Sequence, residues 1–319
     1  MKHEIDRRWG LVLAGGEGRR LQALTTDRSG APVPKQFCSL RGGDTLVQDA
    51  IARVRRCVEP DAILTIVSRP HRRHWTRDLA DQPAANIIEQ PSLRGTAAGI
   101  LLPLLVLADR DPRARLLVMP SDHHVAELDP FAEATEHALE CVEDDDEHTV
   151  LLGISPDSAD TEYGWIVPEE IDSEGRLRVR SFVEKPPLAR AVTLRHRGAL
   201  WNSFVMATSV PALLGLFRAR LPELLERVVA TRAMGPAALE RAWAELPDHD
   251  FCADILAGSE DRLWVHPVPP CGWTDLGTPT RVASVVRDTP TRGLEKTCGP
   301  LVLASRCGSP SGANLSPRM

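Results

Sequence analysis

The residues best placed to do chemistry stand near the start, where an apolar run breaks into "LVLAGGEGRRLQ" and is followed by "PVPKQF". Gly15, Gly16 and Gly18 carry no Cβ, so their backbone N–H groups can approach an anion closely, and Arg20 adds a permanent charge on a planar fork suited to phosphate oxygens. Lys35 supplies a second cation if the connecting segment folds back over the loop. The chemistry this offers is the cradling of phosphate. Two familiar versions fail: no GK[ST] follows, and Leu21 occupies the third glycine position of G-x-G-x-x-G, which argues against a P-loop and a dinucleotide fold. Taken alone, the stretch also reads as a turn cluster with solvated arginines. Asp122 and Asp275, far apart in the chain, each stand beside small or turn-forming residues. Read by themselves, Asp122 caps a following helix and Asp275 begins a turn before Gly277.

Short apolar runs must position these groups. "WGLVLAG", "AILTIVS", "NIIEQ", "ARLLVMPSD" and "TVLLGIS" read as buried strands, and "TLVQDAIARVRRCV", "GTAAGILLPLLVLADR" and "DPFAEATEHALECVEDD" as the helices between them. The alternation predicts an α/β fold with a mainly parallel sheet covered on both faces. After about residue 160 come strand-like pieces ("YGWIVP", "RLRVRSFVEKP", "LWNSFVMAT") without regular helices, then a Leu-rich helical region from Pro211 to about Leu246. These read as a second lobe built onto the same sheet. The expected division is 1–160 and 161–286, with 287–319, rich in Pro, Gly and Ser, as a loose tail. Ligands of open α/β sheets lie beyond the carboxyl ends of the strands, which collects the glycine loop, Gln90 to Thr96, and Ser121 to His123.

Composition narrows the partners. With 38 Lys+Arg against 44 Asp+Glu the net charge is −6, so no overall basic field recommends nucleic acid or an anionic membrane. The 7 cysteines are scattered without a C-x-x-C pair, which predicts reduced thiols and a cytoplasmic location, and the N-terminus lacks the apolar core of a signal peptide. The tempting pair His123-His124 has no further His or Cys at zinc-ligand spacing. The acidic run Glu143 to Glu147 reads as a solvated helix end, and "RPHRRHWTR" as the start of a surface helix rather than an RNA-binding patch.

In order along residues 9–286 stand "AGGEGRRL", "PKQF", "MPSDH", "FVEKP", "WNSF" and "GWTDLGT". Together they resemble the sugar-1-phosphate nucleotidyltransferases, most closely the mannose-1-phosphate guanylyltransferases. The resemblance implies a Rossmann-like nucleotidyltransferase fold, a mixed and mainly parallel sheet with helices on both faces, and a sugar-binding second lobe. It implies the reaction of a nucleoside triphosphate with a hexose 1-phosphate to give a nucleotide sugar and pyrophosphate, with GTP and mannose 1-phosphate as substrates. By the family pattern Arg20 and Lys35 hold the triphosphate and Lys185 the incoming sugar phosphate. Gly15, Gly16, Gly18, Gln90, Arg94, Gly95 and Thr96 line the nucleotide; Gly164, Glu184 and Asn202 meet the sugar; Asp122 and Asp275 share one Mg²⁺. A homodimer is possible.

Three departures are visible. The base loop reads "EQPSLRGTA" where the guanylyltransferases carry E-P-x-x-R-N-T-A, so Gly95 replaces an asparagine and "QPSLRG" resembles the loop of glucose-1-phosphate thymidylyltransferases. "HDFCADIL" replaces an S-x-D-Y-A-x-M-E helix, and too few residues remain for a phosphomannose-isomerase domain. dTTP or UTP with glucose 1-phosphate is therefore an open alternative. A catalytically silent homologue should lack Arg20, Asp122 or Lys185, and a glycosyltransferase should show D-x-D where "PSDHH" stands.

Overall fold

The computed structural model describes residues 8–287 except 23, 28, 29, 41 and 172–175. The sheet's parallel part is built around β1 (Arg8–Ala14), an apolar run that only the interior of a sheet covered on both faces can bury. Parallel to it lie β2 (Ile63–Ser68) on one side and β4 (Arg115–Pro120) on the other, with β3 (Ile87–Gln90) parallel beyond β2. The connections are α1 (Leu46–Val54), the short α2 (Arg72–Asp78) and α3 (Gly95–Arg110). Trp75 of α2 is buried, with its indole N–H on the Ser68 carbonyl, so the basic "RPHRRHWTR" cluster is a surface helix with its one aromatic turned inward.

The sheet does not stop at β4. β8 (Leu200–Ser209) runs antiparallel beside it, followed by β5 (Thr149–Ile154), β9 (Leu263–Val268), β7 (Leu177–Glu184) and β6 (Gly164–Ile171), giving the order β3-β2-β1-β4-β8-β5-β9-β7-β6. The fold is the expected mixed α/β sheet, and both halves share it. α4 (Leu128–Asp144) leads from β4 towards β5, and its acidic end pairs through Glu143 with Arg8. The Leu-rich region forms α6 (Val210–Arg220), α7 (Pro222–Ala233) and α8 (Pro236–Ala244).

Three elements depart from the sequence expectation. The stretch expected to lack regular helices contains α5 (Leu188–His196), which buries only Ala191 and Leu194 and so has too thin an apolar stripe to be read. β9 was not expected, because His266 and Pro267 interrupt its alternation; the proline is tolerated near the end of the strand. α9 (Pro279–Arg287) opens with Pro at its first position, and most of the tail expected over 287–319 lies outside the described residues.

Leu11 of β1 is 1% exposed, in register between Leu64 and Val118. Leu11→Ala should cost about 2–5 kcal/mol of stability in a urea melt. A loss below about 1 kcal/mol would show that β1 is not the strand the core is packed around.

Candidate active site

The carboxyl ends of β1, β3 and β4 open onto one cleft, whose far wall is built from β6, β7 and β8. On the near wall Ser121 donates both its amide and its hydroxyl to the Leu13 carbonyl, at 3.1 and 2.7 Å, locking the end of β4 to β1. The glycine loop is held from below by Gln36, whose amide nitrogen bonds the carbonyls of Ala14 (2.9 Å) and Gly16 (2.7 Å). Gly18 has φ +61° and sits so close that a Cβ there would lie 3.0 Å from the Lys35 amide. The glycine loop and the "PKQF" turn are thus one packed unit. Gln36 was quoted within its motif, yet nothing in the sequence marked it as the residue that holds the loop.

Lys35 is buried, and its ammonium donates to the backbone carbonyls of Asp275 (2.7 Å) and Leu276 (3.2 Å) and pairs with Asp122 Oδ2 at 2.9 Å. The reciprocal backbone bonds between His124 and Thr274, 2.8 and 2.9 Å, stitch the same two loops together. Residues separated by most of the chain therefore meet around one cation. Burial works most strongly against ionisation of Asp122, but the charge and hydrogen bond of the Lys35 ammonium, with smaller neighbouring contributions, together hold the carboxyl below the usual range. Asp275 is likewise held low: burial opposes its charge, while the Gly277 amide (2.8 Å) and Arg281 (2.8 Å) stabilise it. No helix follows Asp122 directly, so it caps none, whereas Asp275 does form the turn expected before Gly277.

Behind this pair Arg53, buried on α1, donates to the His123 carbonyl at 3.2 Å, and burial pulls its pKa down to about 10. His123 is edge-on to Trp273, and burial pushes its imidazole down to about 4, so it is neutral at pH 7. Neither Arg53 nor Arg281 was marked by any motif. Asp122 and Asp275, both held ionised and both lining the cleft, are hard oxygen donors of the kind a divalent cation takes.

On the far wall Gly164 faces Glu184 across the β6–β7 ladder, and a Cβ at Gly164 would lie 2.6 Å from Glu184 Oε2. That oxygen is buried without a hydrogen-bond partner, and burial raises the Glu184 pKa against the pull of Lys185. Lys185 reaches back to Glu184 Oε1 at 2.8 Å from a backbone with φ +42°, a conformation a side-chain-bearing residue rarely adopts. An irregularity in the β5–β8 pairing lies beside Asn202, whose Oδ1 accepts from the Phe204 amide and whose Nδ2 meets the Cys252 thiol at 3.4 Å. Tyr163 lines the cleft, whereas Trp165 is fully buried and belongs to the core.

At the third end Gln90 is 1% exposed, with its Oε1 unpartnered, and a Cβ on Gly15 would lie 2.4 Å from its Nε2. Gly95 and Thr96 receive the "HDF" segment instead of opening only to the cleft. A Cβ at Gly95 would lie 2.2 Å from the His249 carbonyl, and Thr96 Oγ1 accepts from the Phe251 amide at 2.7 Å. The asparagine expected there has no room, so the two sequence departures are one packing event. Arg94 stands apart from the main cleft: it donates to the Ala244 carbonyl and lines a neighbouring cavity that shares Gly18, Arg20, Lys35 and Asp122. Arg20 is exposed and paired across the cleft mouth with Glu162 at 2.7 Å.

A family model described as "Nucleotidyl transferase" matches residues 9–291. The chain belongs to the nucleotidyl transferase family. It is 30% identical over 283 residues to the mannose-1-phosphate guanylyltransferase of Escherichia coli K12, covering 84% of this chain and 57% of that protein. The alginate biosynthesis protein AlgA of Pseudomonas fluorescens is 28% identical, covering 84% of this chain and 56% of the relative. The chain thus spans just over half the length of these curated relatives. Among solved structures, one described as a mannose-1-phosphate geranyltransferase from Thermus thermophilus superposes with a TM-score of 0.74 at 30% identity, covering 89% of this chain and 80% of that one. A glucose-1-phosphate thymidylyltransferase-like structure from Bacillus anthracis (TM-score 0.57, 15% identity, 90% and 98% covered) shares the fold. Among the described residues no helix of this nucleotidyl transferase is long and apolar enough to cross a membrane.

Two expectations follow from the geometry. Gly95→Ala strains a left-handed backbone and pushes a methyl into the His249 backbone, so thermal stability should fall by at least about 1–2 kcal/mol; an unchanged melting point would show that the His249 backbone does not pack against Gly95. Lys35→Met leaves Asp122 without its partner and two carbonyls without a donor. Because both carboxyls have lowered folded pKa values, their contribution is present above the ordinary carboxylate range and lost as pH falls through it. The stability gap between wild type and Lys35→Met should therefore be widest near pH 7 and shrink on acidification. A gap independent of pH would mean that Lys35 acts only through the carbonyls.

Proposed function

We propose that the protein transfers a guanylyl group from GTP to mannose 1-phosphate. The observation that carries this reading is the meeting of Asp122 and Asp275 around Lys35 at one end of a cleft whose far wall presents Lys185, Glu184 and Asn202. A sugar-phosphate oxygen attacks the α-phosphorus, the new P–O bond forms as the α–β bridging bond breaks, and pyrophosphate leaves in line. Since the attacking group is already an anion near neutral pH, no general base is required, and charge neutralisation with alignment is the whole task.

Lys185 would meet the incoming phosphate, while Glu184 and Asn202 would read sugar hydroxyls: the carboxylate accepts and the amide both accepts and donates. Gly164 would let the ring approach the backbone. The glycine loop would face the α- and β-phosphates, with the adjoining cavity beside Arg20 and Arg94 taking the departing pyrophosphate. Arg20 must first leave Glu162, and an exposed ion pair of this kind is worth about 1 kcal/mol or less, so a polyphosphate displaces it readily. Lys35 is already committed to the carboxylate loops, so its part in the reaction is to hold them and to add its charge from below. Asp122 and Asp275 would hold Mg²⁺, which when bound neutralises and aligns phosphate oxygens. A cytoplasmic setting belongs to the same proposal and is supported by the free thiols of the described cysteines.

A second reading, dTTP or UTP with glucose 1-phosphate, stays open because the unpartnered Gln90 amide oxygen at the base end suits the imide N–H of a pyrimidine as well as the N1–H of guanine. Pyrophosphate release measured over a matrix of GTP, dTTP, UTP, CTP and ATP against mannose and glucose 1-phosphates separates these. The expected result is Mg²⁺-dependent release, highest with GTP and mannose 1-phosphate. A preference for dTTP selects the second reading, and no release with any pair indicates a silent homologue. In the active pair, Asp275→Asn should lower turnover by several orders of magnitude, and the double change with Asp122→Asn should add little, since residues acting as a unit are not additive. Additive losses would place the two carboxylates in separate roles.

A further inference from the structure

Arg281 stands on α9, beyond the last of the motifs, and its side chain is only 17% exposed. One guanidinium nitrogen donates to Asp275 Oδ1 at 2.8 Å and another to Asp160 Oδ2, while the plane lies over the Tyr163 ring, 4.4 Å from its centroid. The Tyr163 hydroxyl donates to the same Asp275 Oδ1 at 3.0 Å. Together with the Gly277 amide, three donors converge on Oδ1, which fixes the orientation of the Asp275 carboxylate.

Asp160 in turn organises the loop ahead of β6. Its Oδ1 accepts the Glu162 amide at 2.7 Å and its carbonyl accepts the Trp165 indole N–H at 2.9 Å. This loop brings Tyr163 and Gly164 into the cleft and Glu162 to Arg20. One guanidinium therefore sits between a carboxylate of the sugar-side loop and a carboxylate of the cation end, both largely buried, with side-chain exposures of 20% and 16%. Without it the two anions and the tyrosine would lose their common partner, and the carboxylates would repel one another at low local dielectric.

We propose that Arg281 is a positioning residue that couples the sugar end of the cleft to Asp275, holding the Asp160–Trp165 loop and the carboxylate in one register. The inference rests on the nucleotidyl transfer reading above. Its consequence is selective: a ligand that reaches Tyr163 and Gly164 depends on Arg281, whereas one that occupies only the nucleotide end does not.

Equilibrium binding by calorimetry of GDP-mannose and of GDP, each in EDTA and in Mg²⁺, tests it without requiring turnover. In Arg281→Met, GDP-mannose affinity should fall at least tenfold while GDP affinity in EDTA stays within about threefold, and the tightening that Mg²⁺ gives GDP-mannose should shrink. Arg281→Lys should recover part, since a point charge reaches one carboxylate but cannot fork between two. Asp160→Asn breaks the bridge at its other end and should show the same selective loss, which keeps the test open if Arg281→Met folds poorly. Equal weakening of GDP and GDP-mannose in the variants, or normal binding of both, would overturn the coupling. If wild type binds no GDP-mannose but binds dTDP-glucose or UDP-glucose, the substrate reading fails while the comparison of nucleotide with nucleotide sugar still judges Arg281. Binding of no nucleotide sugar at all removes both.

Discussion

Everything in the cleft depends on one buried ammonium. Lys35 would be costly to bury without partners, and the chain supplies them from two distant places, the Asp122 carboxylate and the carbonyls of Asp275 and Leu276. Because each of its three donors is used, neither loop can shift without leaving a charge or a carbonyl unsatisfied. The constraint also runs backwards along the chain: the turn that carries Lys35 packs on Gly18, and the next residue, Gln36, ties down the glycine loop. The glycine loop and the two aspartate-bearing loops are therefore positioned by adjacent residues of one short turn.

The sheet makes this possible. Three parallel strands deliver the glycine loop, Gln90 and Asp122 to one edge, and the antiparallel β8, which itself carries Asn202, pairs with β6, which carries Gly164 and pairs in turn with the Glu184 strand β7. The two walls of the cleft are thus covalently and hydrogen-bonded parts of one surface, so the distance between its two ends is set by strand register. What remains adjustable is the rim, where Arg20 and Glu162 form an exposed pair and Lys185 sits on a strained backbone. Strain at that position is consistent with a side chain held for a ligand rather than for packing.

The departures at the base end have a single cause. Gly95 with φ +71° lets the His249 backbone close against the start of α3, and Thr96 spends its hydroxyl on the Phe251 amide. The segment that lost the usual tyrosine helix has instead moved in as a packed π-helical turn, Cys252–Leu256, placing a thiol beside Asn202. Glu184, Asp250 and Cys252 consequently gather within 4.8 Å of one another, a grouping that scattered cysteines in the sequence did not announce.

From sequence alone the alternation of strands and helices was legible, because buried parallel strands need unbroken apolar runs. The thin-striped α5 and the proline-bearing β9 were not, since their stability comes from neighbours and not from their own pattern. Nor were the partners of the functional groups. That Lys35 would face Asp122, that Arg281 would bridge Asp160 to Asp275, and that Arg94 would turn from the cleft to Ala244 are contacts between residues up to 150 positions apart. Residue types state what chemistry is available; which charge neutralises which is decided only when tertiary packing removes water from between them, because a buried ion must take whatever partner the fold brings within reach.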